Sequence, residues 1–285
     1  MNQILTVKDL QKKYNNFTLG PINTSFKGGV IIGLIGENGA GKTTFIKSIL
    51  GIIKSTGKVE IFGHDISTEE KDLKENIGVV LDNSFFPEVL TANDIDKIMN
   101  PLYKNWDPGL FYNLLERFSI PKNKTIKTLS KGMRKKLEIA AALAHHPKFL
   151  LLDEPTSGLD PVVRKEVLDV FLDFIQDEEH TILLSTHITS DLEHIADYIL
   201  FLNHGQIVLE ETKDDIMENY GILKCGINDF SKVAKEDIIR FIKNKYNYEI
   251  LVKNPFKLQK KYPGMVMDKL TLEDLMVLIV KGCEA

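Results

Sequence analysis

The chain has 285 residues, enough for one large α/β domain with a smaller appendage and a substantial core. Its 43% hydrophobic and 27% charged content is ordinary for a soluble globular protein. A formal net charge of -4 gives no general pull toward nucleic acid or anionic lipid, and no stretch approaches the roughly 18 apolar residues that span a bilayer.

Residues 1–29 alternate apolar and polar side chains between turn signals at Asn15-Asn16, Gly20-Pro21 and Gly28-Gly29, which predicts a small antiparallel sheet. Lys8, Lys12 and Lys13 lie in this first segment, which shows no cleavable apolar core. Residues 30–35 read as a buried parallel strand and residues 44–50 as the start of a helix. Between them runs Gly36-Glu37-Asn38-Gly39-Ala40-Gly41-Lys42-Thr43, in which two glycines flank four residues and Lys and Thr follow at once. That spacing builds a phosphate cradle. The glycines let backbone N–H groups turn onto phosphate oxygens, Lys42 reaches the β- and γ-phosphates, and the Thr43 hydroxyl holds Mg²⁺. The helix behind points its positive end at the same place. A nucleoside triphosphate is the expected ligand.

Residues 57–63 and 77–81 read as further strands. Thr91-Ala92-Asn93-Asp94 has the form of a capping box and opens a helical stretch to about residue 119. Pro101 and the Asp107-Pro108-Gly109 turn break that stretch into two or three helices. Three apolar runs then end in polar residues: 149–152 in Asp153-Glu154, 181–184 in Ser185-Thr186-His187, and 199–202 in a hairpin turn at Asn203-His204-Gly205. Strands alternating with helices imply a mainly parallel sheet with its chemistry at the carboxyl ends of the strands. Asp153, at the end of a buried strand beside the phosphate loop, is placed to hold Mg²⁺ directly or through water. Glu154 is placed to polarise an attacking water. A solvated acidic turn is the plainer alternative.

Ser130 is expected to cap a helix over residues 133–144, and Asp160 to cap one that opens with Pro161. The basic stretch Lys122, Lys124, Lys127, Lys131, Arg134, Lys135, Lys136 reads as a solvated face, since net charge and the lack of interleaved aromatics argue against nucleic acid. Trp106 is expected to pack within the helical part. His145-His146 are adjacent and do not share a helix face, which speaks against a metal pair. From about Lys213 the composition becomes richer in Lys and Asn, and residues 213–285 read as a small α+β appendage whose last helix Thr271-Leu272-Glu273-Asp274 caps. Cys225 and Cys283 match no metal or redox spacing and read as reduced.

Gly36 to Thr43, Leu129-Ser130-Lys131-Gly132-Met133, Leu150-Leu151-Leu152-Asp153-Glu154-Pro155, Ser157-Gly158-Leu159-Asp160 and His187 occur in the order seen in ABC ATPases. The chain resembles that family over residues 1 to about 212. The resemblance implies an α/β P-loop NTPase fold of ABC ATPase type. Its mainly parallel sheet core would carry an N-terminal antiparallel β subdomain, a helical subdomain at about residues 83–145 and the C-terminal α+β accessory region.

It further implies head-to-tail dimers, homomeric or with a second ABC ATPase subunit. ATP would lie between one subunit's phosphate loop and the other's signature segment, here Ser130, Lys131, Gly132 and Met133. ATP would be bound by Gly36, Glu37, Asn38, Gly39, Ala40, Gly41, Lys42, Thr43 and Thr44. Tyr14 would stack on adenine, an ordinary strand aromatic being the alternative. Glu154, His187 and Lys42 would be the catalytic residues, with His187 a γ-phosphate contact and a linchpin for Glu154 rather than a structural strand-end histidine. Asp160 would communicate between the two sites. Mg²⁺ would fall to Thr43 and Asp153.

Three positions depart from the family pattern. Lys131 and Met133 stand where Gly and Gln are commonest, which puts the hydrogen-bonding role of Met133 in doubt. Asp82 stands where a Gln usually contacts Mg²⁺ and the water, and its shorter charged side chain would reach the metal only through water.

The implied function is that of a cytosolic, Mg²⁺-dependent ATPase subunit of an ABC transporter, of the bacterial drug, antibiotic and peptide export branch. It would sit on the inner face of the cell membrane through separately encoded polytopic subunits. The alternatives are a soluble ABC ATPase acting on ribosomes or DNA, against which a single phosphate loop without insertions argues, and a non-catalytic ATP-binding regulator.

Overall fold

A computed structural model of the chain describes residues 3–67, 71–82 and 85–284. The expected boundaries at residues 1, 83 and 285 lie outside the described residues. Strands β1 (Gln3–Lys13) and β2 (Thr18–Lys27) pair antiparallel. The alternating burial along β2 is what puts one of its faces in the core.

Strand β3 (Ile31–Ile35) is buried throughout and leads through the phosphate loop into helix α1 (Lys42–Ile49). Strands β4 (Thr56–Ile61) and β5 (His64–Asp65) complete the four-stranded antiparallel sheet, ordered β2-β1-β4-β5. A short helix α2 (Lys71–Glu75) precedes strand β6 (Ile77–Val80). Three helices follow: α3 (Ala92–Met99), α4 (Pro108–Arg117) and α5 (Lys131–Leu143). The expected capping box is present at Thr91 and Asp94, and Asp107 caps α4 at its Pro108 start. Trp106 packs on Phe111 at 5.2 Å between ring centroids and donates its indole N–H to Asp96 at 2.8 Å.

Strand β7 (Phe149–Asp153), helix α6 (Pro161–Phe174), strand β8 (Thr181–Thr186), helix α7 (Thr189–Ile195) and strands β9 (Tyr198–Asn203) and β10 (Gln206–Thr212) complete the central sheet. Its order is β10-β9-β3-β8-β7-β6, parallel except for the β10 edge. β3, β7 and β8 are buried along their whole length, as expected of parallel strands covered on both faces. Their carboxyl ends place the phosphate loop, Asp153-Glu154 and His187 side by side.

The rest of the chain comprises α8 (Lys213–Asn219), β11 (Tyr220–Gly226), β12 (Arg240–Lys243), β13 (Asn247–Lys253), α9 (Pro255–Lys261), β14 (Val266–Lys269) and α10 (Leu272–Lys281). Its antiparallel sheet runs β12-β13-β11-β14 around a small core that includes Leu223, Ile250, Val252 and Leu258. Leu272, Leu275 and Leu278 of α10 join the same core as Leu192 and Ile195 of α7, so the accessory region packs on the central sheet's helical layer. The Thr271–Asp274 capping box fixes where α10 begins. Cys225 is buried and Cys283 exposed, both free. Among the described residues no helix is long and apolar enough to cross a membrane.

One expectation needs correcting. The basic stretch is not solvated throughout: Lys135 and Lys136 are buried on α5. Lys135 Nζ donates to the backbone oxygens of Leu81 at 2.8 Å and Asp82 at 3.3 Å and pairs with Glu138 at 3.1 Å, while Lys136 pairs with Glu166. Burial of a charge is tolerated only with such partners. His145 is also buried, stacked on Tyr103 at 4.2 Å, and His146 faces Asp107, so the two rings diverge.

Candidate functional site

The phosphate loop wraps the N-terminus of α1, whose first N–H groups have no intrahelical acceptor. Gly41 caps the helix at φ 111, a left-handed conformation that L side chains rarely adopt, and a Cβ there would come 2.8 Å from the Phe17 ring. The β9–β10 hairpin supports the loop from behind. Its turn residues His204 and Gly205 both have positive φ, as a tight two-residue hairpin turn requires, and Gly205 N–H donates to Ala40 O at 2.9 Å.

A cavity of about 410 Å³ opens over this loop, lined by Phe17, Glu37, Asn38, Gly39, Gly41, Lys42, Thr43, Thr44, Asp82, Glu154, Ser157 and His187. Lys42 is buried, its ammonium donating to Gly36 O at 2.7 Å and Glu37 O at 3.3 Å and standing 3.5 Å from Glu154 Oε1. The other carboxylate oxygen of Glu154 lies 2.8 Å from His187 Nδ1. Glu154 has φ 51, uncommon for a residue with a side chain, and its N–H donates to Ser185 O at 2.9 Å. Asp153 is fully buried, accepting from Thr43 Oγ1 at 2.7 Å and from Ser185 Oγ. The pair of hard oxygens on Thr43 and Asp153, beside a phosphate cradle, is a donor set that suits Mg²⁺.

The cavity gathers Glu37, Asn38, Gly39, Gly41, Lys42, Thr43 and Thr44 of the phosphate loop with Glu154, His187 and Asp82, while Gly36, Ala40 and Asp153 are not part of its lining. Asp82 contributes its exposed side chain, and its backbone oxygen is taken up by Lys135. Tyr14 is not part of the lining. It is 48% exposed, and the aromatic wall is Phe17, with the two ring centroids 6.5 Å apart. Ser157 also lines the cavity and carried no individual role in the sequence, although it begins the Ser157–Asp160 motif. The aromatic at 17 could have been noticed from its closeness to Tyr14; no spacing rule chooses between them.

Ser130, Lys131, Gly132 and Met133 lie outside this cavity. Ser130 caps α5 by accepting from Met133 N–H at 3.2 Å. The segment abuts residues 158–163 instead. A Cβ on Gly158 would meet Lys131 Nζ at 2.7 Å, and one on Gly132 would contact Leu159 and Val163. Asp160 caps α6, accepting from Val162 and Val163 N–H at 3.1 Å.

A family described as ABC transporter matches residues 19–157. The chain is 33% identical over 239 residues to the bacitracin transport ATP-binding protein BcrA of Bacillus licheniformis, covering 82% of this chain and 78% of that one. It is 34% identical over 215 residues to the lantibiotic transport ATP-binding protein SrtF of Streptococcus pyogenes, covering 74% and 92%. It is 30% identical over 237 residues to the daunorubicin/doxorubicin resistance ATP-binding protein DrrA of Streptomyces peucetius, covering 80% and 72%. Among solved structures, an ATP binding subunit of an ABC transporter aligns with a TM-score of 0.68 at 28% identity, over 75% of this chain and 91% of that one.

Proposed function

This chain belongs to the ABC transporter family, and from that premise we propose that it is the ATP-hydrolysing subunit of an exporter of drugs or peptides, working on separately encoded membrane-spanning subunits. The observation that carries the reading is the convergence of Lys42, Thr43, Glu154 and His187 on one cavity, with Thr43 hydrogen-bonded to the buried Asp153. Relatives named for bacitracin, lantibiotic and daunorubicin/doxorubicin support the cargo class.

In this reading the amides of Gly39, Gly41 and α1 cradle the phosphates, and Lys42 exchanges Glu154 for a phosphate oxygen. Thr43 and Asp153 would hold Mg²⁺, which would supply positive charge against the phosphates. Glu154, freed from Lys42, accepts a hydrogen bond from the attacking water, and His187 holds that carboxylate in place. Phe17 supplies the apolar wall for the base. Ser130 to Met133 face a second subunit, identical or paralogous, whose ATP they complete, and Asp160 links the two sites. Residues 1–212 form the nucleotide-binding part and 213–285 an accessory part. The protein works on the inner face of the membrane through its partner.

The test is to hold the ATP-bound form with Glu154→Gln and identify what co-purifies from detergent-solubilised cells. A polytopic membrane protein is the expected result. Ribosomal or DNA-repair proteins without a membrane partner would overturn the transporter reading in favour of a soluble ATPase.

A further inference from the structure

Glu154 and His187 stand on two loops that leave neighbouring strands, β7 and β8. The strand ladder holds them together only as far as Asp153 and Ser185, with one further bond from Glu154 N–H to Ser185 O. Beyond that point the chains diverge into α6 and α7. A second tie joins them below the cavity. Thr156, fully buried two residues after Glu154, donates its hydroxyl to Asp191 Oδ2 at 2.6 Å. Asp191 lies four residues after His187 on α7 and is 1% exposed. Its other oxygen accepts from Arg164 Nε of α6, and the same guanidinium donates to Ser190 Oγ at 2.6 Å.

Among the described residues Arg164 is the cation paired with Asp191, as a buried carboxylate needs. The Thr156 hydroxyl satisfies the carboxylate's second buried oxygen, and its loss would leave that oxygen without this donor. What that hydroxyl adds besides is direction, since it ties the loop carrying Glu154 and Ser157 to α7. Helix α7 is itself fixed against β3, where the missing side chain of Gly33 leaves the space that Leu192 fills; a Cβ there would approach Leu192 to 2.7 Å. β3 runs straight into the phosphate loop. Thr156 and Asp191 thus refer the Glu154–His187 pair to the same rigid base as the phosphates.

We propose that Thr156 and Asp191, with Arg164 behind them, are positioning residues for hydrolysis that set the spacing of Glu154 from His187 and from the phosphate loop. This rests on the assignment of Glu154 as the residue that activates water. Small displacements of a reacting group lower the chemical step far more than they lower binding.

The test compares Thr156→Val, Thr156→Ser and Glu154→Gln in the full chain, measuring ATP hydrolysis, KM for ATP and thermal unfolding. Val keeps the shape and removes the hydrogen bond. The expected result is a fall in kcat of about tenfold or more with KM within about twofold, and near-complete recovery with Ser. Should Val prevent folding, Thr156→Ala gives the same reading. Unchanged kcat in the Val or Ala variant, or no recovery with Ser, would overturn the positioning role. If Glu154→Gln hydrolyses ATP at the unmodified rate, the assignment of Glu154 fails and this inference with it. If Glu154→Gln is inactive while Thr156→Val is normal, only the positioning role falls.

Discussion

The ammonium of Lys42 stands 3.5 Å from Glu154 Oε1 while donating to Gly36 O at 2.7 Å. The cation proposed to serve the phosphates is thus paired, in this structure, with the carboxylate proposed to serve the water, and both groups are largely shielded from solvent. Lys42→Ala is expected to abolish hydrolysis and weaken ATP binding by about tenfold to hundredfold, the scale of one charge-assisted hydrogen bond. A fluorescent ATP analogue titrated against both proteins measures the binding loss. Unaltered affinity would show that Lys42 does not reach the phosphates.

Asp82 brings a negative charge to the cavity rim. Asp82→Gln removes it and lengthens the side chain. The Mg²⁺ concentration that supports half-maximal hydrolysis should rise by about two- to tenfold, because one anion fewer attracts the cation. Identical Mg²⁺ titrations and turnover in the two proteins would end this account of the position.

Phe17, not Tyr14, forms the aromatic wall. A base stacked on a single aromatic is worth about 1–3 kcal/mol, so Phe17→Ala should weaken nucleotide binding by about tenfold or more. Tyr14→Ala should cost much less. Competition between ATP and GTP against each variant would also read out base preference, and an equal loss in both variants would make the two rings one platform.

Lys135 and Glu138 form a buried pair, with side-chain exposures of 7% and 10%. Lys135→Met leaves Glu138 without its cation and strips the Leu81 and Asp82 carbonyls of a donor. The expected cost is about 3–5 kcal/mol, read as a lower urea midpoint at constant slope. Adding Glu138→Gln to the Met variant should recover part of that loss, and a simple sum of the two single effects would contradict the pairing.

Burial holds the His145 imidazole below its ordinary pKa, a shift that its hydrogen bond to Ile77 O opposes only in part. The folded protein resists the proton that the unfolded chain accepts. Stability on this account is intact above the ordinary value of 6.5 and declines as pH falls from there toward the folded pKa. His145→Phe keeps a ring on Tyr103 and removes the titration. Its stability should change less between neutral and mildly acidic pH than that of the unsubstituted protein, and parallel pH curves would refute the role.

Features that depend on neighbours along the chain can be read from the residues alone. Gly36 to Thr43 is legible because a phosphate loop is built from consecutive backbone N–H groups, and no distant residue need be known to read it. The caps at Thr91, Ser130, Asp160 and Thr271 are legible for the same reason, since a cap bonds to an amide two or three residues on. Asp153, Glu154 and His187 could be placed because fully apolar runs mark strands whose carboxyl ends share one edge.

Which parts of distant segments touch is settled by folding in three dimensions. Tyr14 and Phe17 flank one turn, and the path of β1 and β2 puts the second against the loop. Lys135 and Lys136 look like surface charges in a basic run, but α5 turns them toward Leu81 and Glu166. Thr156, Arg164 and Asp191 span 35 residues and share no motif, yet they meet because α6 and α7 pack on adjacent strands. Hydrogen bonds between near neighbours are fixed by backbone geometry, whereas these contacts arise only when the strand order brings separate segments together, and one sequence carries no direct record of that order.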